Sequence, residues 1–164
     1  MGMRLFRILV LFFTLIATPA QSADDSFLAD LREQVVEVPV RVEGLFGDKV
    51  VNLTATIFRP SGDGPFPLVV LSHGTPPHAA DRVKIGRFRR IPQIRQFINR
   101  GFAVIVPIRR GHGATGGDYA EDKGKCASPL YFEAGRAAGR DIVAVVDYAV
   151  KLPFVRPECV ILVG

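Results

Sequence analysis

Histidine and cysteine are scarce in this 164-residue sequence, and each scarcity narrows the function. The three histidines, His73, His78 and His112, have no partner ligand at metal-binding spacing, so no metal is expected, and no cofactor either. Two cysteines, Cys126 and Cys159, allow one bridge at most. Acidic residues are missing from Arg82 to Arg95, a stretch that carries Arg82, Lys84, Arg87, Arg89, Arg90 and Arg95. Aromatic residues are also sparse there: Phe88 and Phe97 alone do not make a base-stacking platform, so no nucleic-acid partner is expected. The stripe reads as a solvated loop and helix face, with an anionic substrate or envelope surface as the lesser alternative. No internal repeat or low-complexity segment is found, and 48% hydrophobic with 23% charged residues is ordinary globular composition with room for one domain.

There is one long apolar run, Ile8 to Ala17, interrupted only by Thr14. As a helix, its ten residues would reach about 15 Å, half of a hydrocarbon core about 30 Å thick, so a membrane span is not expected. Arg4 and Arg7 precede the run and the small residues of TPAQSA follow it, which is the layout of a secretory signal peptide covering 1–23, with cleavage between Ala20 and Ala23. The expectation is an exported chain, periplasmic or extracellular, with no stable membrane span after cleavage. Without Arg4 and Arg7, 19 basic residues face 16 acidic ones and the charge falls from +5 to +3, too little for a general nucleic-acid footprint.

Residues 24–164 read as an α/β domain. Val35 to Val42 and Val50 to Phe58 alternate apolar and polar residues about EGLFGD, the pattern of an antiparallel hairpin with one half-buried face, and Pro39 puts its first strand at an edge. Leu68 to Leu71, Phe102 to Val106 and Val160 to Val163 are short continuous apolar runs, expected to be strands of a parallel sheet. Helices are expected over Ile91 to Asn99, with Gly101 past its cap, and over Glu133 to Lys151. Gly111, Gly113 and Gly116 spell G-x-G-x-x-G after a strand, but no helix begins until about Glu133. A pyrophosphate would find no helix N-terminus there, and the glycines read as a sharp turn above the sheet.

A strand closing on Ser72-His73-Gly74, a second ending at Arg109-Arg110-Gly111-His112-Gly113, then a helix and a strand running into Gly164, resemble the α/β-hydrolase fold, in particular its dienelactone-hydrolase and prolyl-oligopeptidase-like members. The resemblance covers Val35 to Gly164. It implies a mostly parallel sheet with an N-terminal antiparallel hairpin, incomplete at the C-terminus, and a serine hydrolase acting through an acyl-enzyme on a small-molecule or peptide ester, thioester or amide. It implies that His73 and Gly74 order the oxyanion loop and that Gly164 is the first glycine of a G-x-S-x-G elbow. The serines are Ser22, Ser26, Ser61, Ser72 and Ser128, and none has glycine on both sides, two residues before and two after. Nucleophile, acid and base are therefore all expected beyond Gly164, with no catalytic residue in this chain.

Within that frame Thr75 is the expected oxyanion donor, through its backbone N–H, because Pro76 and Pro77 have none to give. A helix of about 18 residues, roughly 27 Å, separates Cys126 from Cys159, so no bridge between them is expected. Left at a sheet edge, Val160 to Val163 would be an aggregation template. A short exported binding or scaffold protein on the same half-fold is the alternative.

Overall fold

A computed structural model describes residues 27–44 and 47–164. The proposed signal peptide and the middle of the hairpin turn lie outside the described residues.

Strands β1 (Gln34–Val42) and β2 (Lys49–Phe58) form the expected hairpin, in unbroken register from Gln34 opposite Ile57 to Val42 opposite Lys49. β3 (Phe66–Leu71), β4 (Ala103–Pro107) and a last long strand, Val155–Val163, complete a five-stranded sheet. A two-residue hairpin, β5 (Gly124–Lys125) with β6 (Ser128–Pro129), stands apart from it, so the last strand is β7. The sheet order is β1-β2-β4-β3-β7. β2 is antiparallel to both β1 and β4, while β3 is parallel to β4 and β7, so four strands point one way and β2 alone opposes them. β1 is an edge, as Pro39 required, and Pro39 sits opposite Asn52.

Successive residues of β3 and β4 serve opposite faces, and both faces are covered. Leu68, Val70, Ala103 and Ile105 pack with Val145 and Ala149 of helix α3 (Tyr131–Ala149). Val69, Leu71, Val104 and Val106 pack with Ile94 and Ile98 of helix α2 (Ile91–Ile98). A four-residue helix, α1 (Ala79–Arg82), precedes α2. The end of α2 is a Schellman turn: Gly101 has φ 83°, its N–H bonds the Ile98 carbonyl at 2.9 Å, and the Phe102 N–H reaches back to Phe97 at 3.1 Å. The Phe97 and Phe102 rings meet edge to face across it.

Three expectations are corrected. α3 starts at Tyr131 rather than Glu133, with the Ala134 N–H already bonded to the Leu130 carbonyl. β7 starts at Val155, yet its ladder with β3 jumps from Phe66–Val155 to Leu68–Val160. Pro157 lies in that interruption, where a missing N–H costs no ladder bond, and only Val160 to Val163 pair continuously. Those four residues are not buried on both faces: β7 is an edge among the described strands, and Ile161 and Leu162 are 44% and 60% exposed.

Candidate functional site

The carboxyl ends of β3, β4 and β7 meet at one edge of the sheet. The Ser72 N–H bonds the Val163 carbonyl at 2.7 Å, and a Cβ built on Gly164 would stand 3.9 Å from the Ser72 Cβ. A cleft of about 240 Å3 opens between these ends and α2, lined by Ser72, Gly74, Phe88, Arg90, Gln93 and Gly164. A second, of about 260 Å3, lies between Thr75, Pro76, Pro77, Tyr119 and Glu121 on one side and Ala134, Gly135 and Ala138 of α3 on the other.

His73 is buried, and its two nitrogens have different partners. Nε2 accepts the Arg109 backbone N–H at 3.1 Å, so the proton sits on Nδ1, which donates to the Gly74 carbonyl at 2.8 Å. Burial holds its pKa down at about 4, against a rise from the Gly74 bond and with help from the Arg109 and His112 charges. The ring is thus neutral with a fixed tautomer. Gly74 O and Thr75 N–H belong to the same peptide plane and point in opposite directions. Holding one with His73 aims the other, and the exposed Thr75 amide takes no hydrogen bond among the described residues.

Ser72 Oγ and the His73 ring are not bonded to each other. Ser72 Oγ is held at 2.5 Å by Nη1 of Arg109, while the His73 ring binds backbone groups. Arg109, to which the sequence reading gave no role beyond the end of its strand, is the hub. It is 5% exposed and donates Nε to Glu121 Oε1 at 2.5 Å, Nη2 to Glu121 Oε2 and Thr75 Oγ1 at 3.0 Å each, and Nη1 also to the His73 carbonyl at 2.6 Å. Glu121 is buried, and burial raises its carboxyl pKa. The Arg109 and Thr75 hydrogen bonds and the Arg109 charge outweigh that and hold it below the ordinary value. The neighbouring Arg110 fixes α3 against the end of β4, with Nε 2.7 Å and the backbone N–H 3.0 Å from the buried Asp141 carboxylate.

Of the remaining candidates, His112 packs against this cluster. His112 is fully buried, its ring 4.8 Å from that of His73, with Nδ1 on the Arg109 and Arg110 carbonyls and Nε2 without a partner. His78 is exposed at the start of α1. Among the described residues no three His, Cys, Asp or Glu side chains gather as metal ligands. Gly113 has a positive φ, and a Cβ there would run into the Ile85 carbonyl, as one on Gly111 would meet the Tyr119 backbone. The glycines serve a tightly folded loop, in which Gly113 opens and Gly116 closes a 3-10 turn, Gly113–Thr115, rather than a long helix. Cys126 and Cys159 are both free thiols. The basic stripe is not simply a solvated face: Arg87 and Arg89, 11% and 16% exposed, bracket the buried carboxylate of Glu33 at 3.1 and 2.8 Å. The Arg82 guanidinium sits 3.8 Å over the Tyr119 ring and Arg95 pairs with Asp30. A buried carboxylate needs paired cations, and the one at Glu33 lies more than fifty residues away in sequence.

No protein-family model matches the sequence, and no curated protein does. Solved structures match the fold. An α-amino acid ester hydrolase aligns over 93% of this chain and 24% of its own length, with a TM-score of 0.52 and 21% identity. The chain carries part of an α/β-hydrolase fold. An acetyl xylan esterase from Paenibacillus sp. R4 aligns over 82% of this chain and 46% of its own, at TM-score 0.48 and 19% identity. A post-proline cleaving enzyme from Rickettsia typhi aligns over 87% and 18%, at TM-score 0.45 and 17% identity. The chain therefore spans under half the length of each of these structures. In α/β-hydrolase terms the described sheet is the hairpin and the next three strands, with the loop after β3 and the end of β7 side by side.

Proposed function

We propose that this chain is the N-terminal part of an exported serine hydrolase of the dienelactone-hydrolase or prolyl-oligopeptidase-like kind, cleaving an ester, thioester or amide through an acyl-enzyme. The observation that supports the reading is the meeting of the β3 loop with Gly164 at one edge. The Thr75 N–H, aimed by the His73–Gly74 bond, is one oxyanion donor. Gly164 opens the nucleophile elbow, whose serine lies two residues on and whose following amide supplies the second donor. The serine attacks the acyl carbon. The histidine base beyond Gly164 takes the serine proton, the carbonyl oxygen gathers negative charge against the two N–H groups, the leaving group departs with that proton, and water then releases the acyl group by the same steps.

The test is hydrolysis of short p-nitrophenyl esters by the product of the coding frame read past Gly164. Thr75→Pro removes one donor and is expected to lower kcat about 10²- to 10³-fold with an unchanged circular dichroism spectrum. Turnover equal to that of the parent would contradict the assignment.

A further inference from the structure

We infer that Arg109 and Glu121 are positioning residues for the oxyanion loop, acting through the hydroxyl of Thr75; the inference rests on the hydrolase reading of the same site. A guanidinium has five N–H donors, and all five of Arg109 are used: two on the Glu121 carboxylate, and one each on Ser72 Oγ, the His73 carbonyl and Thr75 Oγ1. The last three acceptors belong to the segment that carries the Thr75 amide. Thr75 Oγ1 also donates to Glu121 Oε2 at 2.8 Å, so hydroxyl, guanidinium and carboxylate close a ring in which every proton has one place to go. A threonine with both hydroxyl roles fixed has one χ1, and its backbone is fixed with it. The Gly74–Thr75 peptide is thereby held from two sides, at the Gly74 carbonyl by His73 and at the Thr75 side chain by the ion pair.

Geometry favours this over a purely structural ion pair. A salt bridge that served only to tie the loop of Glu121 to β4 would need the two carboxylate bonds alone. The other three bonds go to Ser72, His73 and Thr75 of one short segment, at 2.5 to 3.0 Å, from a side chain that is itself buried. Such a clamp lets an amide meet a developing charge without moving, which is where oxyanion stabilisation comes from.

The experiment uses the protein produced from the coding frame read past Gly164, with kcat and KM for a short neutral ester and active enzyme counted by fluorophosphonate titration. Arg109→Gln and Glu121→Gln are expected to lower kcat per titrated site roughly 10²-fold, the scale of one oxyanion donor, with KM changed less than about threefold. Thr75→Val, which leaves the buried pair in place, is expected to lose about tenfold more kcat than Thr75→Ser, which keeps the hydroxyl. The double variant Arg109→Gln with Thr75→Val is expected to be no worse than Arg109→Gln alone, because both break the same link. Additive losses, or equal kcat for the Val and Ser variants, would overturn the positioning role while the hydrolase reading stood. A parent protein that neither hydrolyses esters nor takes the probe would overturn that reading and, with it, the role for Arg109.

Discussion

His73 and Glu121 both make the fold sensitive to acid, in that order. The His73 ring takes a proton near its ordinary value of 6.5 in the unfolded chain but only near 4 in the folded one. Between these values the unfolded state binds more protons, so stability is full above about pH 6.5 and is lost as the pH falls toward 4. The groups facing the ring are Arg109, His112 and Glu121, and the loss is on the order of 3 kcal/mol. Glu121, held below its ordinary 4.5, contributes stability that is present above that value and disappears at still lower pH. Urea midpoints measured from about pH 7 down to 4 should fall in the parent and flatten in His73→Gln; a parent profile already flat would contradict the buried neutral imidazole. The position of His73, Gly74 and Thr75 just past the end of β3 was legible in the sequence because an apolar run leads directly into them. Arg109 and Glu121 were not. An arginine ending a buried strand does need an acid, but nothing local says which acid of a polar loop folds back onto it.

At the level of elements, the apolar runs located the centre of each large strand and helix, because a strand buried on both faces and an amphipathic helix must show it in their composition. What escaped was held by polar contacts. Hairpin β5–β6 has no apolar signal, and the buried pair Arg110–Asp141, thirty-one residues apart, carries no pattern either. That pair joins α3 to the end of β4, and Asp141 is only 2% exposed. Asp141→Ala leaves a largely buried guanidinium and the Arg110 amide without their carboxylate, and is expected to destabilise the fold by about 3 kcal/mol. The urea midpoint reads this directly, and a change under about 1 kcal/mol would show the pair to be replaceable by water.

Over the whole molecule, the sheet has one protected edge and one open one. Pro39 helps to blunt β1, whereas β7 offers Val160 to Val163 with Ile161 and Leu162 exposed beside a row of N–H and C=O groups that no strand pairs among the described residues. Residues 24–164 expressed alone are expected to aggregate or melt without cooperativity, as sedimentation and thermal unfolding would report; a soluble monomer with a sharp melt would favour the binding-module alternative. The α/β-hydrolase fold was readable from the order of strand ends, since the sequence places His73-Gly74 and Gly164 after the two strands that the sheet sets side by side.

The central claim is that, where the carboxyl ends of β3 and β7 meet, a serine carried by the turn that Gly164 begins takes an acyl group from the substrate. The most direct measurement is fluorophosphonate labelling of the protein made from the coding frame read past Gly164, followed by peptide mapping. The account predicts one adduct, on a serine two positions after Gly164, and none on Ser72 or Ser128. No adduct, or an adduct on a serine within residues 24–164, would contradict it.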